Sequence, residues 1–292
     1  MPNARPMPNG RSMPSTLDAV SRIERIVARD PAKRGIANLV QWGALDAAAR
    51  ALWGTRNAEI ISGFYLPSAQ VGETDGPPGA KALGRALEKL GADVVYLTDA
   101  WNAPLFAALG LARVEVYRPN MLAGLNVTHL VSIERPGRAQ DGHYYSMSAR
   151  DISEFTAPLD ELFLQARALQ MTTVAIGDGG NEIGMGNVRE RVRSDVPHGE
   201  KIASVVECDH LVVAGVSNWG AYGLVGALSI LAGRDLLPGA AEAEEDIRAI
   251  VRAGAADGQT FRNEPTVDSQ SLADNLAVLE EIRAIALSTR GG

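Results

Sequence analysis

The sequence predicts an α/β fold: a doubly wound, mostly parallel sheet with helices on both faces, followed by C-terminal helices. Three observations carry this reading. Short β-branched runs alternate with amphipathic or alanine-rich stretches of helical length, a pattern that calls for right-handed crossovers between parallel strands. Hydrophobic residues make up 46% of the 292 residues, enough for a sizeable core. The polar and glycine-rich stretches fall at the ends of the expected strands, where open parallel sheets bind ligands.

Residues 1–15 are rich in Pro, Asn and Arg and lack apolar periodicity, so a disordered tail is expected there, with residues 16–292 as a single domain. Arg5 and Arg11 give only a weak targeting signal, because no apolar segment or amphipathic helix accompanies them, and Met7 and Met13 are alternative starts. Ser15 or Thr16 caps a first helix whose Leu17, Val20, Ile23 and Val27 form one stripe, stopped before Pro31. A second, alanine-rich helix covers 44–53. Strands are expected at 60–65, 93–98, 114–117, 129–133, 172–176 and 210–214, each rich in Val, Ile or aromatic residues. Helices at 79–90, 103–109, 158–169, 187–193 and 219–232 lie between or after them; the first is opened by Pro77-Pro78 and stopped by Gly91. Two more, at 240–255 and 271–287, are joined by a loop containing Gly, Asn and Pro.

Bulk properties exclude several classes. A net charge of −7 and the absence of a Lys/Arg cluster argue against nucleic acid as a partner. The single cysteine, Cys208, rules out an internal disulfide framework and fits a reducing, cytoplasmic setting; it reads as a core residue more than as a nucleophile. The longest apolar run, 224–232, is broken by Gly226 and Ser229, so no membrane partner is expected. A small-molecule substrate is expected, and a homo-oligomer is compatible with the composition.

The chain is organised around Gly177-Asp178-Gly179-Gly180-Asn181-Glu182-Ile183-Gly184-Met185-Gly186, between a buried strand and a helix start. Its glycines let a ligand approach the main chain. A phosphate or dinucleotide loop is the obvious reading, but Glu182 stands where the third glycine of G-x-G-x-x-G belongs, and no Gly-Lys-Ser/Thr follows, so no nucleotide is expected. Asp178 and Glu182 would also repel an anion, which makes a metal ion or an ammonium group the better guest. A tight turn with exposed acids is the plainer alternative.

Three other strand-end loops add polar residues. Glu73-Thr74-Asp75-Gly76 precedes a helix; Glu134-Arg135-Pro136-Gly137-Arg138 leads to Asp141 and Tyr144; Ser217-Asn218-Trp219 follows the last strand. Up to six carboxylates (Glu73, Asp75, Glu134, Asp141, Asp178 and Glu182) would converge, and they could not share a pocket ionised without raised pKa values or a cation. Oxygen ligands suit Mg²⁺ or Mn²⁺, with Glu73, Asp75, Glu134, Asp178 and Glu182 as candidate ligands. Arg135 and Arg138 would grip a substrate carboxylate or phosphate, alongside Tyr144, Asn181, Ser217, Asn218 and Trp219 as substrate-binding candidates. Plainer readings stand beside these: Glu73 and Asp75 as helix caps, Arg135 with Asp141 as a surface ion pair, and Ser217-Asn218 as an N-cap.

Taken together, Glu73-Thr74-Asp75-Gly76-Pro77-Pro78-Gly79, Ile133-Glu134-Arg135-x-Gly137-Arg138 with Asp141-Gly142-x-Tyr144-Tyr145, Gly177 to Gly186, and Gly215-Val216-Ser217-Asn218-Trp219-Gly220 resemble the C-terminal domain of D-glutamate cyclases, over roughly residues 19–287. The resemblance implies an α/β fold and a hydro-lyase activity, the reversible cyclisation of D-glutamate to 5-oxo-D-proline with loss of water. The catalytic candidates under that resemblance are Glu134, Asp141, Asp178 and Glu182. A divalent cation would polarise the γ-carboxylate, and a carboxylate such as Glu134 or Asp141 would move the ammonium proton. Two rival functions remain from the residues: a metal-dependent phosphohydrolase, and a non-catalytic module that binds a small amino acid.

Overall fold

In a computed structural model of the chain, which describes residues 13–118 and 127–289, six strands form one sheet. They are β1 (Asn57–Ser62), β2 (Asp93–Thr98), β3 (Val114–Val116), β4 (His129–Ile133), β5 (Thr172–Gly177) and β6 (His210–Val213). Every pairing is parallel, and the order β3-β2-β1-β4-β5-β6 reverses its direction of winding between β1 and β4. The expected doubly wound α/β fold is therefore present, and its reversal point opens a crevice beyond the carboxyl ends of β1 and β4.

The helices are α1 (Met13–Val27), α2 (Ala44–Leu52), α3 (Pro77–Lys89), α4 (Ala103–Ala108), α5 (Glu161–Ala166), α6 (Arg189–Asp195), α7 (Gly199–Ile202), α8 (Ser217–Ala232), α9 (Ala240–Arg252) and α10 (Leu272–Ser288). Alternate strand residues serve opposite faces, as the two-residue period of a strand requires. Ala58, Ile60, Val131, Ile133, Val174 and Ile176 pack with α1, α2, α3, α8 and α10. Ile61, Leu97, Leu130, Ala175 and Leu211 pack with α5, α6, α7 and the short turn Ile36–Leu39. Both faces are covered, which is why the strands read as continuous apolar runs.

Helix α8 lies at the centre of the first layer, with every residue from Ser217 to Leu231 buried. It is apolar all round, as a helix enclosed on all sides must be. Three glycines let its neighbours close in: a Cβ at Gly220 would stand 2.6 Å from Ile176 of the sheet, at Gly223 2.7 Å from Val27 of α1, and at Gly226 2.6 Å from Ile282 of α10. This packing fixes the N-terminus of α8 over the reversal point.

Several boundaries differ from the sequence reading. Helix α1 begins at Met13, so residues 13–15 of the expected tail are helical, and the rest of it, residues 1–12, lies outside the described residues. Of its stripe, Val20, Ile23 and Val27 are buried, whereas Leu17 is 41% exposed. The first strand stops at Ser62 because Gly63 turns with φ 113°, and a small hairpin, Tyr65–Leu66 with Val71–Gly72, follows. The helix expected over 158–169 is confined to α5, and the one expected over 187–193 opens as a 3₁₀ turn over Met185–Val188.

Candidate active site

The floor of the crevice is built by two helix starts that cap one another. Asp75 accepts from the backbone N–H of Ser217 (2.8 Å) and of Asn218 (2.7 Å), so it caps α8, not the helix that follows it in sequence. Asn218 answers with its side-chain Oδ1, which accepts from the N–H of Gly76 (3.1 Å) and of Gly79 (2.8 Å) at the start of α3. Each exchange satisfies amides that a helix terminus leaves free. Gly76, with φ 97°, is held so close that a Cβ there would lie 2.8 Å from that of Glu134.

Glu134 directly follows β4 and takes a left-handed backbone, φ 47°, a conformation that a non-glycine residue holds only when its surroundings over-determine it. Its carboxylate accepts the Ser217 hydroxyl at 2.6 Å. Asp178, from the glycine loop after β5, accepts the same Ser217 amide at 3.2 Å. Asp75, Glu134 and Asp178 thus converge, each offering an oxygen, with these oxygens all within 4.8 Å of one another. This all-oxygen, anionic donor set fits a hard divalent cation such as Mg²⁺ or Mn²⁺. Glu73 and Glu182 stand outside this group of three. Glu182 instead organises the glycine loop: its carboxylate accepts from the N–H of Asp178 (3.2 Å), Gly179 (2.6 Å) and Gly180 (2.7 Å).

Two residues that carry no sequence motif complete the site. Arg34 reaches from the loop after α1, held there by Asp30, whose carboxylate accepts from the N–H of Arg34 and of Gly35. Its guanidinium pairs with Asp178 at 3.0 Å and with Asp268 at 2.7 Å, and donates to the Gly215 carbonyl at 3.0 Å. Asp268 comes from the segment between α9 and α10, which reads in sequence as a plain connection. That segment is stitched to the loop after the hairpin: Glu73 and Ala256 form a parallel bridge, Thr74 N–H donates to the Ala256 carbonyl, and the Thr74 hydroxyl donates to the Thr266 carbonyl. The resulting cavity, about 370 Å³, is lined by Arg34, Glu73, Glu134, Asp178, Asn181, Glu182 and Asp268, with Phe64, Leu66 and Phe261 as apolar wall and Ser146, Ser148 and His198 at its rim.

Charge in this site is out of balance. Burial pushes the Glu73, Glu134, Asp178 and Asp268 carboxyls well above their ordinary range, and neighbouring carboxylates push Glu73, Glu134 and Asp268 further in the same direction. Arg34 pulls Asp178 back in part. Burial likewise carries Asp75 up to about 7. Burial opposes the charge on Arg34, but Asp178 and Asp268 outweigh it and hold the guanidinium protonated. One buried arginine against five such carboxyls leaves the remainder to be neutralised by protons or by cations.

Among the residues expected from sequence, the structure brings together Glu73, Asp75, Glu134, Asp178, Asn181, Glu182, Ser217 and Asn218. Five others it places elsewhere. Arg135 is 1% exposed and turned away, donating to Asp99 (2.5 Å) and to the carbonyls of Gly63 and Ala157. The expected Arg135–Asp141 pair does not form. Arg138 and the Tyr144 hydroxyl both bind Asp160, at 2.7 and 2.6 Å. Asp141 accepts from the Tyr145 hydroxyl and the His143 amide outside the cavity. Trp219 lies under α10, its indole N–H donating to Asn275 at 2.7 Å. Cys208 also lies outside the cavity, and burial raises its thiol to about 12, which suits an inert residue.

Comparison with known proteins places this site in a family. The family model described as D-glutamate cyclase-like, C-terminal, matches residues 23–283. The human mitochondrial D-glutamate cyclase is 36% identical over 244 residues, which covers 74% of this chain and 40% of that protein's length. A solved exopolyphosphatase-related protein from Bacteroides fragilis is similar with a TM-score of 0.45 and 10% identity, over 86% of this chain and 58% of that one, too weak a likeness to bear on function. The chain belongs to the D-glutamate cyclase-like C-terminal family. No helix among the described residues is long and apolar enough to cross a membrane.

Proposed function

We propose that this member of the family catalyses the reversible cyclisation of D-glutamate to 5-oxo-D-proline, with Asp75, Glu134 and Asp178 holding a divalent cation, Mg²⁺ or Mn²⁺. The observation that carries the reading is that the four loops bearing the family-like motifs meet at a single buried carboxylate group at the sheet's reversal point. The chain spans less than half the length of the human relative, so the activity is proposed for this chain on its own residues.

The reaction joins the α-amine to the carbon of the γ-carboxyl group, breaks one C–O bond of that group and releases water. The γ-carboxylate is a poor electrophile because it is already anionic. A bound divalent cation supplies charge neutralisation and polarisation of that group. The chain's residues do the rest. Ser217 holds the Glu134 carboxylate in place through its hydroxyl, and Arg34 fixes Asp178 from the opposite side. The apolar wall of Phe64, Leu66 and Phe261 accommodates the methylene chain and excludes water. Folding the substrate brings the amine and the γ-carboxyl carbon to reacting distance, which removes much of the entropic barrier to ring closure. Arg135 and Arg138 are committed to internal partners, so recognition of the α-carboxylate falls to groups that line the cavity: the hydroxyls of Ser146 and Ser148, and His198. The ammonium proton passes to a cavity carboxylate outside the group of three and from there to the departing oxygen, which also takes the second proton lost by nitrogen and leaves as water; Asp141 is not placed for this role.

Supplying 5-oxo-D-proline to the folded, magnesium- or manganese-supplemented protein tests this in the hydrolytic direction. Appearance of D-glutamate is expected. Absence of ring opening together with release of inorganic phosphate from a phosphate ester would replace the cyclase reading by the phosphohydrolase one.

A further inference from the structure

Beside the Asp75–Glu134–Asp178 group lies a second pair of acids that this grouping does not absorb. Glu73 is 6% exposed and Asp268 4%, and both face the cavity. They are aimed at a common point: a Cβ at Gly258 would stand 2.4 Å from Glu73 Oε2 and 3.3 Å from Asp268 Oδ1. The loop that carries Gly258 is built to hold it there. Asp257 accepts from the N–H of Gln259 (2.9 Å), Thr260 (2.8 Å) and Ser269 (2.7 Å), and Asp268 and Ser269 both take left-handed backbones, φ 51° and 61°. Independently of this clustering, Glu73 Oε1 is buried and has no hydrogen-bond donor. A buried acceptor left without a donor has lost its hydration and gained no partner, so it is a place where a ligand's N–H gains. Asn181 Oδ1 is likewise buried and without a donor at the cavity wall, its amide nitrogen already committed to the Tyr145 carbonyl at 2.6 Å.

We propose that Glu73 and Asp268 form a subsite for a primary ammonium group, which receives the α-ammonium of an amino dicarboxylate while its distal carboxylate lies toward Asp75, Glu134 and Asp178. Choosing D-glutamate as the ligand rests on the cyclase reading; the ammonium subsite itself does not. Two carboxylates are too few ligands for a metal cage of six or more oxygens, and among the described residues only Asp75, Glu134 and Asp178 form a group of three. An ammonium carries one positive charge and three N–H donors, and so meets two acids and a vacant amide oxygen. The subsite also resolves how a dicarboxylate enters an acidic cavity: each end of the molecule meets the charge it needs. An arrangement of this kind discriminates against a ligand without the amine, because the buried acceptors would then stay unpaired.

The test is titration of the magnesium-supplemented protein with D-glutamate and with glutarate, the same dicarboxylate without the amine. The wild-type chain is expected to bind D-glutamate at least about tenfold more tightly, since a charged hydrogen bond made to a buried group is worth that much or more. Glu73→Gln removes one charge, and Gly258→Ala keeps every charge but displaces the Glu73 carboxylate with a methyl group. Each variant should lose roughly tenfold or more in D-glutamate affinity while glutarate binding stays within about twofold. Equal weakening of both ligands, or no preference for D-glutamate in the wild-type chain, would overturn the subsite. Retained amine discrimination without any turnover would leave the subsite standing and remove the cyclase reading.

Discussion

Replacing Arg34 by methionine tests how the site is held together. The side chain is 11% exposed and pairs with Asp178 at 3.0 Å and Asp268 at 2.7 Å, themselves 3% and 6% exposed. Methionine keeps most of the apolar stem and removes the charge. Deleting one member of a buried ion pair costs about 3–5 kcal/mol, because the partner is left as an uncompensated charge in a medium of low polarity. Here two carboxylates lose their counter-charge, so the upper half of that range is expected near neutral pH. The loss depends on pH in a definite direction. Asp178 and Asp268 already titrate above their unfolded values, and without Arg34 they are pushed higher still. A group with a raised folded pKa gives its full stability below its unfolded pKa and loses it as pH rises through the folded one, at up to about 1.4 kcal/mol per pH unit for each group. The variant's deficit should therefore grow with pH. Urea unfolding of chelated wild-type and variant protein at about pH 6 and about pH 8.5 measures it. A deficit below about 1 kcal/mol at both values, or a larger one at the lower pH, would refute the placement of Arg34 between two buried carboxylates.

Three further outcomes follow from the same geometry. Magnesium or manganese at about a hundred times its dissociation constant should stabilise the protein by about 2.7 kcal/mol, a rise of roughly 5–10 °C in Tm, and Asp178→Asn should blunt the shift in differential scanning fluorimetry. Asn218→Ala frees the Gly79 amide, while the Gly76 N–H keeps Asp75 as its acceptor, and should cost about 1 kcal/mol in denaturant unfolding, even though the residue lies within another helix. In the metal-free protein Asp75, carried by burial from 3.8 to about 7, contributes stability that is complete below pH 3.8 and lost as pH rises toward and through about 7. Chelated protein should accordingly lose stability from about pH 5 to about pH 8, and added magnesium should flatten that slope; a stability that rises over this interval would contradict the raised pKa.

Much of this arrangement is legible in the sequence because strands announce themselves by β-branched runs and their carboxyl ends by abrupt changes to glycine and acids. Asp93–Thr98 and His129–Ile133 fall where the sequence puts them. The glycine loop, Asp75, Glu134 and Ser217 are found for the same reason: they directly follow strands of the sheet or of its hairpin. The arginines are misleading because proximity in sequence is not direction in space. Arg135 turns from the cavity that Glu134 faces and serves Asp99, Gly63 and Ala157. Arg34 and Asp268 are invisible for a different reason. Both sit in connections without motif or periodicity, and tertiary bonds tie these to the site: Asp30 to the Arg34 loop, and Thr74 to Thr266. Asp75, for which the plainer sequence reading is a cap on the helix that follows it, instead caps a helix more than a hundred residues away in the chain.

The most direct measurement of the central claim is conversion of D-glutamate to 5-oxo-D-proline, followed by chiral chromatography with L-glutamate as control, for wild-type protein and Asp178→Asn, each chelated and then resupplied with magnesium or manganese. The D-form alone should convert, only with metal present, and the variant should be slower by at least about a hundredfold while keeping the near-ultraviolet circular dichroism of the folded chain. Undiminished conversion by Asp178→Asn, or no conversion by folded, metal-supplied wild-type protein, would contradict the account.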